Sequence, residues 1–126
     1  MKKVVVPCSG IGKAFGTVSR EATYLLTEQM RPDQFRTVCL ALVMAGDEET
    51  VRLVKESDVF TIDGCPKKCA TVCVKHAGGN VVKETIVPKI LAEHKDHKPG
   101  TVLDIGEGGA LLAMDIAEYV LSEEVD

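Results

Sequence analysis

Tryptophan is absent from this sequence of 126 residues, and two tyrosines and three phenylalanines make up its whole aromatic content. The core must therefore come from Val, Ile, Leu, Ala and Met, which suits a sheet covered by helices. Basic charge is also short. The formal net charge is −4, the wrong sign for the basic footprint that phosphate backbones require. Lys2–Lys3 and Lys67–Lys68 are the only adjacent basic pairs, so no nucleic-acid partner is expected. No apolar run approaches the ~18 residues of a membrane span. Val4–Val6 is too short for the apolar region of a secretory signal. The expectation is a cytoplasmic protein with no membrane partner.

Repeats, low-complexity tracts and Pro-, Gly- or Ser-rich linkers are missing as well, which argues for one domain over residues 1–126. The hydrophobic share of 45% is enough for a real core. Against this plain background stand five cysteines. In a reducing compartment, thiols serve as ligands or reactive groups far more than as disulfides. Their odd number agrees.

Apolar runs alternate with turn signals and helical patterns. Val4–Val6 is a β-branched run ended by Pro7. Val18, Ala22, Leu25, Leu26 and Met30 have helix spacing, closed by Pro32. Phe35 to Val43 reads as a second strand, at least in its first half. Gly46 breaks it, and Asp47 is a good helix cap with Glu48 and Glu49 at the positive helix end. Asp58–Ile62 reads as a third strand, left through Asp63–Gly64. Pro66 fits the first position of a helix stopped by Gly78–Gly79. Val81–Val87 reads as a fourth strand ended by Pro88. Residues 89–100 are polar and at most partly helical, and Leu111 to Val120 mark a final helix. The expected fold is α/β: a single three-layer domain with a mainly parallel sheet of about four strands covered by helices.

In open sheets of this kind, ligands collect beyond the carboxyl ends of the strands. Cys8 and Cys65 each follow such an end, and Cys39 lies at or near another. If Pro66 opens a helix, Cys65 caps it and Cys69 sits one turn later on nearly the same face. A helix N-terminus and the ammonium groups of Lys67 and Lys68 favour thiolates there. The C-x3-C spacing differs from the C-x2-C of zinc knuckles. Tetrahedral zinc takes about four ligands, and the best set is Cys8, Cys39, Cys65 and Cys69. Cys39 could instead be a buried strand residue, leaving three ligands and an open position. Cys73 extends an apolar stripe with Ala70 and Ala77 and reads as core. His76 reads as satisfied or exposed. His94 and His97 have the i, i+3 spacing of a metal pair, but in a Lys- and Asp-rich segment that reads as a solvated surface.

The segment Cys8-Ser9-Gly10-Ile11-Gly12-Lys13-Ala14-Phe15-Gly16 joins the first strand to the first helix. Gly10 and Gly12 allow backbone N–H groups to converge on an anion, and Lys13 could face it. The segment lacks the Walker pattern and is one residue longer than the dinucleotide fingerprint. A tight structural turn, or a cradle for a thiolate or a small anionic or sulfur-containing ligand, fits better than a nucleotide site.

Asp63-Gly64-Cys65-Pro66-Lys67-Lys68-Cys69-Ala70, with Pro7-Cys8-Ser9-Gly10-Ile11-Gly12 and Cys39-Leu40, resembles the DGC-domain family, named for Asp-Gly-Cys and regarded as zinc-binding. The match spans roughly the whole chain. The resemblance implies metal roles for Cys8, Cys39, Cys65 and Cys69, and it supplies no reaction. The resulting expectation is a zinc-binding protein. Sulfur-transfer or thiol-redox chemistry at Cys8 or Cys65, or an iron–sulfur cluster on the same thiolates, are the alternatives.

Overall fold

A computed structural model describes residues 3–8, 14–64, 67–101 and 104–122. Four strands form one sheet: β1 (Lys3–Pro7), β2 (Phe35–Thr37), β3 (Asp58–Asp63) and β4 (Asn80–Ile86). Their order is β2-β1-β3-β4 and every pairing is parallel. Parallel neighbours need crossovers: α1 (Ala14–Tyr24) lies between β1 and β2, α2 (Leu40–Ala45) and α3 (Glu48–Lys55) between β2 and β3, and α4 (Cys69–His76) between β3 and β4, while α5 (Val87–Glu93) and α6 (Gly106–Leu121) follow β4. The expected α/β class with a parallel sheet of four strands is what the chain forms.

Strand alternation sends successive side chains to opposite faces, and β1 is buried on both. Val5 joins a core with Ile62, Val18, Ala22, Leu112, Ile116 and Val120, under α1, α5 and α6. Val4 and Val6 join the other core, with Val59, Leu40, Val43, Val54 and Val74, under α2, α3 and α4. Three layers follow from a run of three valines that must be hidden on either side.

Several boundaries differ from the sequence reading. The second strand stops at Thr37, and Leu40–Ala45 is helical. A short apolar run cannot declare its period. Here Leu40 and Val43, three apart, are buried, while Leu42 and Met44 are exposed. Gly46 ends α2 in the left-handed region at φ 78°. Asp47 caps α3 as expected, accepting the Thr50 N–H at 3.1 Å. Val54 and Thr50 turn inward from α3, and Val51 is only half-buried. The α1 pattern continues past Tyr24 as a π-helical stretch, Leu25–Met30. It is closed by the Arg31 N–H on the Leu26 carbonyl, five residues back, at 3.0 Å. Pro88, read as a strand terminator, lies in the first turn of α5, where its missing N–H costs nothing.

Among the described residues no helix is long and apolar enough to cross a membrane.

Candidate thiol site

The adjacent strands β1 and β3 send their following helices to opposite faces, α1 to one and α4 to the other. Such a divergence opens a crevice between the carboxyl ends of the two strands. Cys8 is at its floor. Its N–H donates to the Ile62 carbonyl at 2.8 Å, extending the ladder by one rung beyond β1. Its sulfur accepts the Gly64 N–H at 3.2 Å and lies 3.8 Å from Ser19 Oγ, which itself donates to the Phe15 carbonyl at 2.8 Å. Cys8 is only 8% exposed. Cys8 is thus tied to β3 through its backbone N–H, to the residue after β3 through its sulfur, and to α1 through Ser19.

Gly64 is required by close approach. A Cβ there would meet Phe15 Cβ at 3.2 Å, the Phe15 carbonyl carbon at 3.3 Å and Cys8 Sγ at 3.4 Å. The glycine lets the end of β3, the start of α1 and the thiol touch.

Asp63 is 1% exposed, and its carboxylate is fully engaged. Oδ1 accepts the Ala70 N–H at 2.8 Å, and Oδ2 accepts the Thr71 N–H at 3.3 Å and the Thr71 hydroxyl at 2.8 Å. Thr71 Oγ1 lies 2.6 Å from Thr61 Oγ1. The acid therefore satisfies two of the open N–H donors of α4. This corrects the expectation that Cys65 caps a helix opened by Pro66. The helix begins at Cys69, after Lys68 in the left-handed region at φ 55°, because Asp63 reaches the helix start from the strand end. Cys69 is thus the first residue of α4 and does not sit one turn into it. Cys65 and Pro66 lie outside the described residues, as do residues 9–13 with Gly10, Gly12 and Lys13. Lys68 pairs with Glu84 at 3.7 Å, and Lys75 approaches the same carboxylate at 3.9 Å. A carboxylate on β4, rather than a group of thiolates, answers the Lys68 charge.

Cys69 is exposed at the start of α4. Cys73, one turn later, is half-buried against the core of the second face. Burial pushes its thiol above the usual range, and the nearby Cys69 and Asp63 push the same way. That is the behaviour of a packed thiol, as its apolar neighbours implied. His76, near the end of that helix, is exposed.

Cys39 is exposed at the N-cap position of α2, two residues beyond β2. It is not a core residue. With Cys8 it lines a cavity of about 270 Å³, whose walls include Arg20, Tyr24 and Thr37. Arg20 donates to Thr17 Oγ1 at 3.2 Å, and Thr37 Oγ1 donates to the Val5 carbonyl at 2.8 Å.

Soft sulfur donors on several chain segments at one sheet edge are the chemistry zinc prefers. Cys8 and Cys39 share a cavity. Among the described residues no three of the sulfurs lie within 4.8 Å of one another. Asp63 and Thr71 are the supporting residues that sequence reasoning passed over. An acid and a threonine eight positions apart carry no short-range signal, and the carboxylate was read only as part of a motif.

The DGC domain family model matches residues 4–107, from β1 to the first turn of α6 and including all five cysteines. No curated protein and no solved structure matches. With well over half of its length matched, the chain belongs to the DGC-domain family.

Proposed function

We propose that this protein binds zinc through thiolates at the carboxyl edge of its sheet, with Cys8, Cys39, Cys65 and Cys69 as the ligand set. The observation that carries this reading is the Cys8 sulfur. It is buried at the end of a central strand, fixed by the Gly64 N–H at 3.2 Å, and faces a cavity shared with Cys39. A buried, positioned sulfur beside a second one is what a soft cation requires. Asp63 supports the reading by setting where α4 begins and hence where Cys69 projects. Zinc held by segments after β1, β2 and β3 would link elements far apart in sequence and add to folding stability.

The test is elemental analysis with thiol titration on anaerobically purified protein, wild type beside Cys65→Ser. About one zinc per chain, lost in the variant and removed by chelation with a fall in Tm, is the expected outcome. Stable, metal-free protein with every thiol titratable would sink the proposal. Brown protein whose absorbance is lost on reduction would replace zinc with an iron–sulfur cluster.

The cavity favours a second reading. Two thiols and a guanidinium around about 270 Å³ suit a small anionic or sulfur-containing ligand, with Cys8 or Cys65 engaged in sulfur transfer or thiol redox chemistry. The glycines Gly10 and Gly12 and the side chain of Lys13 would serve the same anion. Metal-free protein with one or two fast-alkylating cysteines would turn the assignment this way.

A further inference from the structure

On the opposite face of the sheet from α4, three potential ligands converge that are remote in sequence from the thiols. His94 ends α5, and His97 closes the next turn with its N–H on the His94 carbonyl at 2.8 Å. The two imidazoles lie parallel, 7° from coplanar directions with centroids 5.4 Å apart. Stacking turns both Nδ1 edges the same way, toward Asp115 on α6. Asp115 Oδ2 is 2.5 Å from Nδ1 of His97 and 3.7 Å from Nδ1 of His94. The carboxylate side chain is 12% exposed, against 27% and 41% for the imidazoles. The polar corner thus has a half-covered floor and an open top.

A simple surface ion pair accounts for one imidazole and leaves the other unexplained. Two imidazolium rings stacked at this distance would repel, and at 3.7 Å His94 Nδ1 is too far from the carboxylate for a hydrogen bond. A divalent cation needs two neutral imidazole nitrogens and a carboxylate oxygen pointing at one spot. All three ligand atoms lie within 4.8 Å of one another. For metal–ligand bonds near 2.0–2.1 Å, the edge of a tetrahedron is about 3.3 Å. The His94–Asp115 separation is close to that value. The His97–Asp115 contact would open by less than about an ångström, a small movement for a turn on the surface.

We propose that His94, His97 and Asp115 form a second cation site, of the nitrogen–nitrogen–oxygen type that takes zinc, nickel or copper(II). Three protein ligands leave a fourth position for water or an external ligand. The site is independent of the thiolates. It pins the turn after α5 to the middle of α6.

The experiment is a zinc chloride titration of the full 15N-labelled chain, followed through the imidazole nitrogens. The Nδ1 signals of His94 and His97 should shift together, at the same added equivalent, while exposed His76 serves as an internal control. Zinc taken first by thiolates leaves all three histidines unmoved, so failure of the thiol reading and failure of this one are separable. Asp115→Asn and His97→Gln should each weaken zinc here about tenfold or more, since even an outer-shell change costs that much. The zinc-dependent rise in Tm assigned to this corner should disappear with them. A merely structural Asp115 would lower Tm equally with and without zinc. His94 and His97 signals that move no more than those of His76 would overturn the proposal.

Discussion

The two faces of the sheet are built differently. Under α1, α5 and α6 lies a mainly aliphatic core that includes Phe35, with Phe15, Phe60 and Tyr119 packed against it. Under α2, α3 and α4 the buried set is smaller and includes Cys8, with Cys73 packed at its margin. All four described cysteines belong to this second side or to its edge. Apolar side chains are exposed on both sides, Leu42, Met44 and Val72 here and Tyr24, Leu111 and Met114 on α1 and α6. One face holds the larger buried cluster and sustains the fold. The other carries the thiols. Stability and chemistry are therefore separable by mutation.

The strongest separation is expected from Ile116→Ala, at a fully buried position of α6. Losing that side chain should cost about 2–5 kcal/mol in urea unfolding, with the thiol titration of the folded protein unchanged. A change in both would show that the faces are coupled.

Asp63→Ala should cost less, roughly 1–3 kcal/mol, because buried N–H groups of Ala70 and Thr71 lose their acceptor. It should also alter the alkylation rate of Cys69, which Ile116→Ala should leave alone. Mass spectrometry of alkylated peptides reads this directly. Unaltered Cys69 chemistry would assign Asp63 to helix stability alone.

The smallest effect is a pH dependence on the second face. Burial raises the Cys73 thiol, followed by the influence of Cys69 and Asp63. The folded chain then holds that proton to a higher pH than the unfolded chain does. This contribution to stability is complete below the ordinary thiol range and is lost as pH rises through the raised value. Urea midpoints measured from roughly pH 7 to 10 should fall less steeply for Cys73→Ser than for the wild type. Parallel curves would remove Cys73 as the source.

Much of this architecture was legible because its signals are local. The valine run of β1 and the Asp47 cap each declare themselves within a few positions. Cys8 and Cys39 followed from a general rule about strand ends, and both line one cavity. What escaped depends on distance. The apolar stretch 35–43 splits into strand and helix only when packing decides which residues to bury. The start of α4 was misplaced because its cap comes from Asp63, outside the expected helix. His94 and His97 read as solvated surface because Asp115, on another helix, is what gives their spacing a meaning.

The shortness of β2 has a consequence for selectivity. It pairs with β1 only as far as Val5, so the last two residues of β1 have no strand on that side. Backbone polar groups alternate along a strand. Since Cys8 donates its N–H toward β3, position 7 faces the gap, and it is proline, which has no N–H to offer. The strand-side wall of the cavity therefore offers no backbone N–H at position 7, and the cationic donor of the lining is Arg20, on α1. The two walls thus sort visitors by charge, an electron-poor one toward the strand and the thiols, an anionic one toward Arg20.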